Sequence, residues 1–230
     1  MKNTVIILSI LAIIASSCNQ ATKKQTAETD AEFALADSNT PIEQEQSQKK
    51  NKLLEETIIK TIKAWQNKDE KTLNSLILKD FGIAFLYKPG ALNRLALYDK
   101  VLFDNPEAEY SYMPSDFHFE TDYKINFEEL PDFDCETEKW NKPLGIYCDT
   151  INIDKKLSTT AKDMNEFLEL NQFFTEDWSA SKIKKFEDIE CKSHKIVVTG
   201  KEYNVFAFYL TFIGNQWYLT VIDRLEPCSA

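Results

Sequence analysis

The stretch YNVFAFYLTFIGNQWYLTVIDRL, residues Tyr203 to Leu225, decides the fold. It is dominated by β-branched and aromatic residues, which fit a pleated, half-buried surface. Gly214-Asn215 sits at its centre and has the chemistry of a two-residue hairpin turn. The chain therefore runs out along Tyr203–Ile213 and returns along Gln216–Leu225. Trp217, Leu219 and Val221 then share one face of the returning strand. Just upstream, Lys195 to Thr199 is also β-branched and reads as a strand. Three successive antiparallel strands, a C-terminal meander, are the expectation.

Working back towards the N-terminus, the pattern changes period. Leu54, Ile58, Ile62 and Trp65 recur at about every fourth residue, with Leu53 and Ile59 beside them, which places one apolar stripe on a helix. Asn67-Lys68-Asp69 ends it. A short second helix uses Leu73, Leu76 and Ile77 as its inner face. Ile83 to Tyr87 reads as a strand and Lys88-Pro89-Gly90 as a turn. The stretch Asn93 to Phe103 fits helix or strand, with helix preferred. Phe117, Phe119, Thr121 and Tyr123 alternate with Asp116, His118, Glu120 and Asp122, a period of two that predicts a strand running to Phe127. Pro131 to Pro143 is expected as a loop, followed by a short strand around Ile146 and a helix over Thr159–Phe173. Phe174 to Glu187 carries no clear pattern. The fold class is α+β: N-terminal helices packed on a curved antiparallel sheet.

The first residues carry an address. Met1-Lys2 precedes an apolar run from Val5 to Ile14 and the small residues Ala15-Ser16-Ser17, the layout of a secretory signal. The run is short for a membrane span, which needs about 20 apolar residues. Cys18 follows directly, and the arrangement resembles the lipobox of bacterial lipoproteins, with Ala15 where that motif most often has leucine. The resemblance implies removal of residues 1–17, acyl chains on Cys18 and export to a membrane surface. Asn19 is not the Asp that resembles a retention signal, which points to the outer membrane. Residues 18–50 then read as the lipidated cysteine and a flexible tether. They are rich in Gln, Thr, Ala, Glu and Lys, and cannot bury enough apolar surface to offset their ordering entropy. Pro41 discourages a continuous helix there. Residues 51–230 form the single domain.

Composition narrows the partners. The formal net charge is −10, so the chain repels phosphate backbones and nucleic-acid binding is disfavoured. The same charge argues against broad adhesion to anionic headgroups, leaving membrane attachment to the lipid on Cys18. Arg94 and Arg224 are the only arginines, so bidentate grips on carboxylate or phosphate are scarce. Beyond Cys18 there are Cys135, Cys148, Cys191 and Cys228. An even number in an exported chain suggests disulfides. Cys135 and Cys148 bracket the loop-like Glu136–Tyr147 and are the expected pair. Cys191 and Cys228 would then remain, but in a simple meander they flank the first and third strands and lie at opposite ends of the sheet, well beyond the reach of a disulfide; either they do not pair or the strand order is not a simple meander.

Helices first and a curved sheet with its longest hairpin last are similar to the cone-shaped NTF2-like fold. The matching pieces are Ala64-Trp65-Gln66-Asn67-Lys68-Asp69 at a helix end and Gly214-Asn215-Gln216-Trp217-Tyr218-Leu219 in the closing strand. That resemblance implies a mouth between helices and concave sheet, where Trp65, Tyr87 and Tyr209 would line a ligand pocket and Asp223 could serve acid–base chemistry. The fold hosts enzymes, binders and interaction modules alike.

The chain carries few signatures of catalysis. With two histidines and no His-Glu-x-x-His, there is no zincin. With five glycines in the whole chain, neither a nucleophile elbow nor a phosphate-cradling loop is present, and no cofactor motif appears. His118 shares a strand face with Asp116 and Glu120 and could act as a base, although a solvated face explains the pattern equally. Asp132, Asp134, Glu136 and Glu138 resemble the start of a calcium loop, but Thr137 and Pro143 stand where that loop needs glycine and the closing Glu, so no metal is expected. Tyr110, Tyr112, Trp140 and Tyr147, where exposed, would suit a sugar or a partner surface. The reading is a non-enzymatic, membrane-anchored module binding a protein partner or small ligand. An NTF2-like enzyme and a carbohydrate-binding or structural envelope module are the alternatives.

Overall fold

A computed structural model describes residues 41–104, 123–171, 178–201, 204–225 and 228, all within the unit Asn39–Ala230. Helix α1 spans Pro41–Gln66. Its stripe Leu54, Ile58, Ile62 and Trp65 is at most 1% exposed, as the four-residue spacing requires. Pro41 begins this helix rather than preventing it. In a helix's first turn the backbone N–H has no partner to lose, so proline is tolerated there. Residues 41–50 are thus helix, where the sequence suggested tether. Lys68 adopts φ +52° just beyond α1, and the chain turns at once into α2, Glu70–Ser75. Asp69 caps α2, its Oδ1 accepting from the Thr72 N–H at 3.0 Å.

A seven-stranded sheet carries the rest, in the order β2-β1-β9-β8-β7-β6-β3. Its strands are β1 Ile83–Tyr87, β2 Arg94–Tyr98, β3 Ile125–Asn126, β6 Ile146–Asp149, β7 Ser193–Thr199, β8 Val205–Ile213 and β9 Gln216–Asp223. The closing meander β7-β8-β9 is antiparallel throughout. Gly214 (φ +54°) and Asn215 (φ +71°) make its turn, both in the left-handed region that such a hairpin demands. The sheet as a whole is mixed, not antiparallel, because β1 pairs in parallel with β9 and β3 with β6. Strand β2 replaces the preferred helix over Asn93–Phe103. Its five residues pair one for one with β1, and that pairing outweighs local helix propensity. Within the expected Pro131–Pro143 loop, β4 (Phe133–Asp134) and β5 (Lys139–Trp140) form a separate small hairpin.

Helices cover both faces. On one, α1 and α2 pack on Ile83, Phe85, Ile196, Val198, Phe206, Phe208 and Leu210. On the other lie α3, Lys156–Asn171, and α4, Ala180–Glu190. There Leu157, Ala161, Met164, Phe186 and Ile189 meet Ala84, Leu86, Tyr209 and Val221. Alternation carries β1 and β8 into both cores, whereas the core residues of β6 and β7 (Ile146, Cys148, Ile196 and Val198) lie on the α1 side alone. In β9 a register shift opposite Tyr209/Leu210 turns Val221 to the α3 side, away from Trp217 and Leu219, with which its spacing predicts a shared face. Each large apolar side chain so buried contributes about 1.5–3 kcal/mol. The expected helix over Thr159–Phe173 is α3, and α4 occupies the stretch whose pattern was unclear. Cys18, Tyr110, Tyr112, the Asp116–Asp122 alternation and His118 lie outside the described residues.

Candidate functional site

Two of the four expected pocket residues come together, at a buried ionic cluster under α3. Strand register sets Lys195 of β7 directly across from Tyr209 of β8. On the same face Asp223 of β9, paired with Ala207, lies diagonally beyond Tyr209. Lys195 Nζ lies 2.7 Å from Asp223 Oδ2 and 3.2 Å from Asp154 Oδ2. The Tyr209 hydroxyl donates to Asp154 Oδ2 at 2.6 Å, and Lys156 Nζ stands 3.7 Å from Asp223 Oδ2. Asp154 reaches the cluster because Asp149 folds the preceding loop. Its Oδ1 accepts from the N–H groups of Ile151 and Asn152, and its Oδ2 from the Asn152 side chain, an Asx turn that returns the chain over the sheet.

The electrostatics close this cluster to nucleophilic work. Burial pushes the Lys195 ammonium down, but Asp223 and Asp154 outweigh it and hold the pKa above its ordinary value. Burial, then the charges of Asp223 and Asp154, hold the Tyr209 phenol well above its own. Asp154 is pushed up by burial, yet Lys195, the Tyr209 hydroxyl and Lys156 bring it below the usual range. Lysine and tyrosine therefore stay protonated and the Asp154 carboxylate ionised at neutral pH, each satisfied by the others.

The other two pocket candidates are elsewhere. Trp65 sits on the opposite face, stacked on Phe206 at 4.8 Å and edge-on to Phe103 at 5.3 Å. Tyr87, 5% exposed, ends β1 opposite Arg94 with the parity of Ile83 and Phe85. No single mouth gathers all four.

The cysteine expectation is corrected. Cys135 bonds to Cys228, with Cα atoms 5.7 Å apart, and Cys148 is a free buried thiol. Position in the fold explains this: Cys148 is in β6 with its side chain in the α1-side core, whereas Cys135 lies in the exposed β4–β5 turn. Burial, then the nearby Asp149 charge, pushes the Cys148 thiol up to about 12, which makes it inert at neutral pH. The acidic turn is self-contained. Asp134 accepts from the N–H groups of Glu136 and Thr137 and from the Thr137 hydroxyl. Among the described residues no group of His, Cys, Asp and Glu is placed to hold a metal.

Sequence reasoning missed an open groove between α1 and the sheet edge at β3. It encloses about 710 Å³ and is lined by Glu55, Glu56, Ile59 and Lys60 on the helix and by Tyr123, Lys124, Ile125 and Phe127. Its floor is apolar and its rim carries both charges. Phe127 is 44% exposed. Only the apolar positions of α1 hinted at it, since Ile59 lies beside the stripe rather than on it. Among the described residues no helix is long and apolar enough to cross a membrane. Comparison with family models, with curated proteins and with solved structures found no match to this chain.

Proposed function

We propose that the chain is an exported lipoprotein, held to a membrane (the outer one by the residue after the cysteine) through acyl chains on Cys18. Its α+β domain binds a protein partner or small ligand in the groove between α1 and β3. The groove is the observation that carries the binding reading: apolar at its floor, polar at its rim, with a half-exposed phenylalanine at its edge. Pockets with that make-up are the usual sites of recognition. The anchoring half rests on the signal-like start and Cys18, and the Cys135–Cys228 bond supports an oxidising compartment.

Two measurements test it. Metabolic labelling with an alkyne fatty acid should mark the wild-type chain and not Cys18→Ser; equal labelling of both, or of neither, removes the anchor. Photocrosslinking from position 127 in native membranes should yield a discrete adduct that Ile59→Glu abolishes; adducts unaffected by that change remove the groove.

An NTF2-like enzyme is the second reading. Its support is α1 lying across a sheet that closes in its longest hairpin, together with Asp223 and Tyr209 buried on one face. Loss of turnover in Asp223→Asn, once a substrate is found, would favour it.

A further inference from the structure

The start of α1 is docked by a small group of side chains, and one of them can change charge. Residues 44–49 of α1 are exposed; Lys50 is half-buried and, among the described side chains of the helix, Leu54 is the first that is fully buried. From residue 44 onward, Lys50 is thus the first part-buried position of this helix, and it sits against the β8–β9 hairpin. Its carbonyl accepts from the Trp217 indole N–H at 3.2 Å. Its ammonium lies 4.6 Å from the Phe212 ring centre and 5.4 Å from that of Trp217. The His194 ring packs on the same indole, centroids 5.1 Å apart, and Phe212 flanks it at 5.0 Å. One indole therefore serves a permanent cation and an imidazole together.

We infer that Lys50, Trp217 and His194 form a proton-sensitive latch that holds the beginning of α1 on the β8–β9 hairpin. The titration is a simple proton uptake by the neutral imidazole, giving an imidazolium beside the Lys50 ammonium. Among the described residues, the charged groups acting on His194 are Lys50 from α1 and Asp149 from β6. From β8 and β9 the facing residues are Leu210, Phe212 and Trp217, none of which titrates. Trp217 offers its π face to a cation, but Lys50 already uses it. A second cation there is like-charge crowding in a partly dry site.

The direction of titration agrees. Burial, then Lys50, holds the His194 imidazole below its ordinary 6.5, with Asp149 opposing in part. A histidine whose pKa is lower folded than unfolded stabilises the docked state fully above about 6.5. That contribution falls as pH drops below this value and levels off below the folded pKa. Mild acid therefore loosens the start of α1 and leaves Leu54 onward in the core. The latch does not depend on whether Cys18 carries lipid.

The test uses the full chain. NMR titration of the imidazole Cε1–H resonances, assigned with His118→Gln since the chain has two histidines, should place His194 below 6.5. Hydrogen exchange corrected for intrinsic rates should show a severalfold loss of protection across residues 48–53 between pH 7.5 and 5.0, with none in β7–β9. His194→Gln should abolish that pH dependence. Lys50→Met, which keeps the stem but drops the charge, should raise the His194 pKa. A His194 pKa at or above 6.5, or the same loss of protection in His194→Gln, overturns the latch.

Discussion

Lys195 and Asp223 form an ion pair across two strands, Nζ to Oδ2 2.7 Å, with side chains only 11% and 2% exposed. Removing one partner leaves an uncompensated charge in the sheet. Lys195→Met is expected to lower unfolding free energy by about 3–5 kcal/mol, read from urea denaturation. Lys195→Met with Asp223→Leu should recover most of that loss, because an apolar pair of similar volume needs no solvation.

Acid should act on the same cluster with a definite sign. Asp154 titrates below its ordinary 3.8 in the folded chain, so its contribution is present above about 3.8 and is lost as pH falls through the folded value. Glu190 behaves oppositely. Burial raises its pKa above 4.5, and its Oε2 is buried without a partner. Its contribution is present below about 4.5 and is lost as pH rises through the folded value. In thermal melts from pH 3 to 7, Glu190→Gln should therefore gain relative stability towards neutral pH, whereas Asp154→Asn should forfeit it.

Cysteine chemistry separates cleanly by burial. Non-reducing peptide mapping should recover a Cys135–Cys228 cross-link. Cys148 should resist iodoacetamide at pH 8 until the protein is unfolded, given a thiol pushed up to about 12. The double variant Cys135→Ser, Cys228→Ser opens a loop with a sequence separation of 93 and should cost at most about 4–5 kcal/mol on the chain-entropy account.

Gly82 sits at φ +82°, and a Cβ there would stand 2.4 Å from the Tyr98 carbonyl oxygen. Neither backbone can yield without disturbing the β1–β2 pair. Gly82→Ala should destabilise by more than about 2 kcal/mol, adding conformational cost to the clash. Gly90→Ala, with open space around it, should change stability little. Paired denaturation curves distinguish them.

Much of the fold was legible because two periods dominate the sequence. The four-residue stripe of α1 and the Gly214-Asn215 turn each reflect local rules, and both appear as expected. Strand β2 was not legible, since Arg94–Tyr98 becomes strand only by pairing with β1. Nor were the parallel pairings, which join segments far apart in the chain. Local disulfide reasoning failed likewise, because proximity of Cys135 to Cys228 is a property of the folded sheet. The fold resemblance points to Tyr209 and Asp223 but not to their partners Lys195 and Asp154. Nothing in a single strand's sequence says which side chains its neighbours bring alongside.

The pairing of β1 with β9 bears on how such a chain acquires its structure. An interior pairing of the sheet joins a strand near the start of the domain to the last strand, so closure is among the longest-range contacts the chain can make. High contact order of this kind slows folding. During synthesis, or on threading through a pore, α1 and the β1–β2 hairpin emerge first and wait with their apolar faces uncovered until residues 216–223 arrive. A chain cut before β9 therefore loses not an edge but an interior strand, the one that joins β2-β1 to the rest of the sheet, and such fragments should be recognised as unfolded.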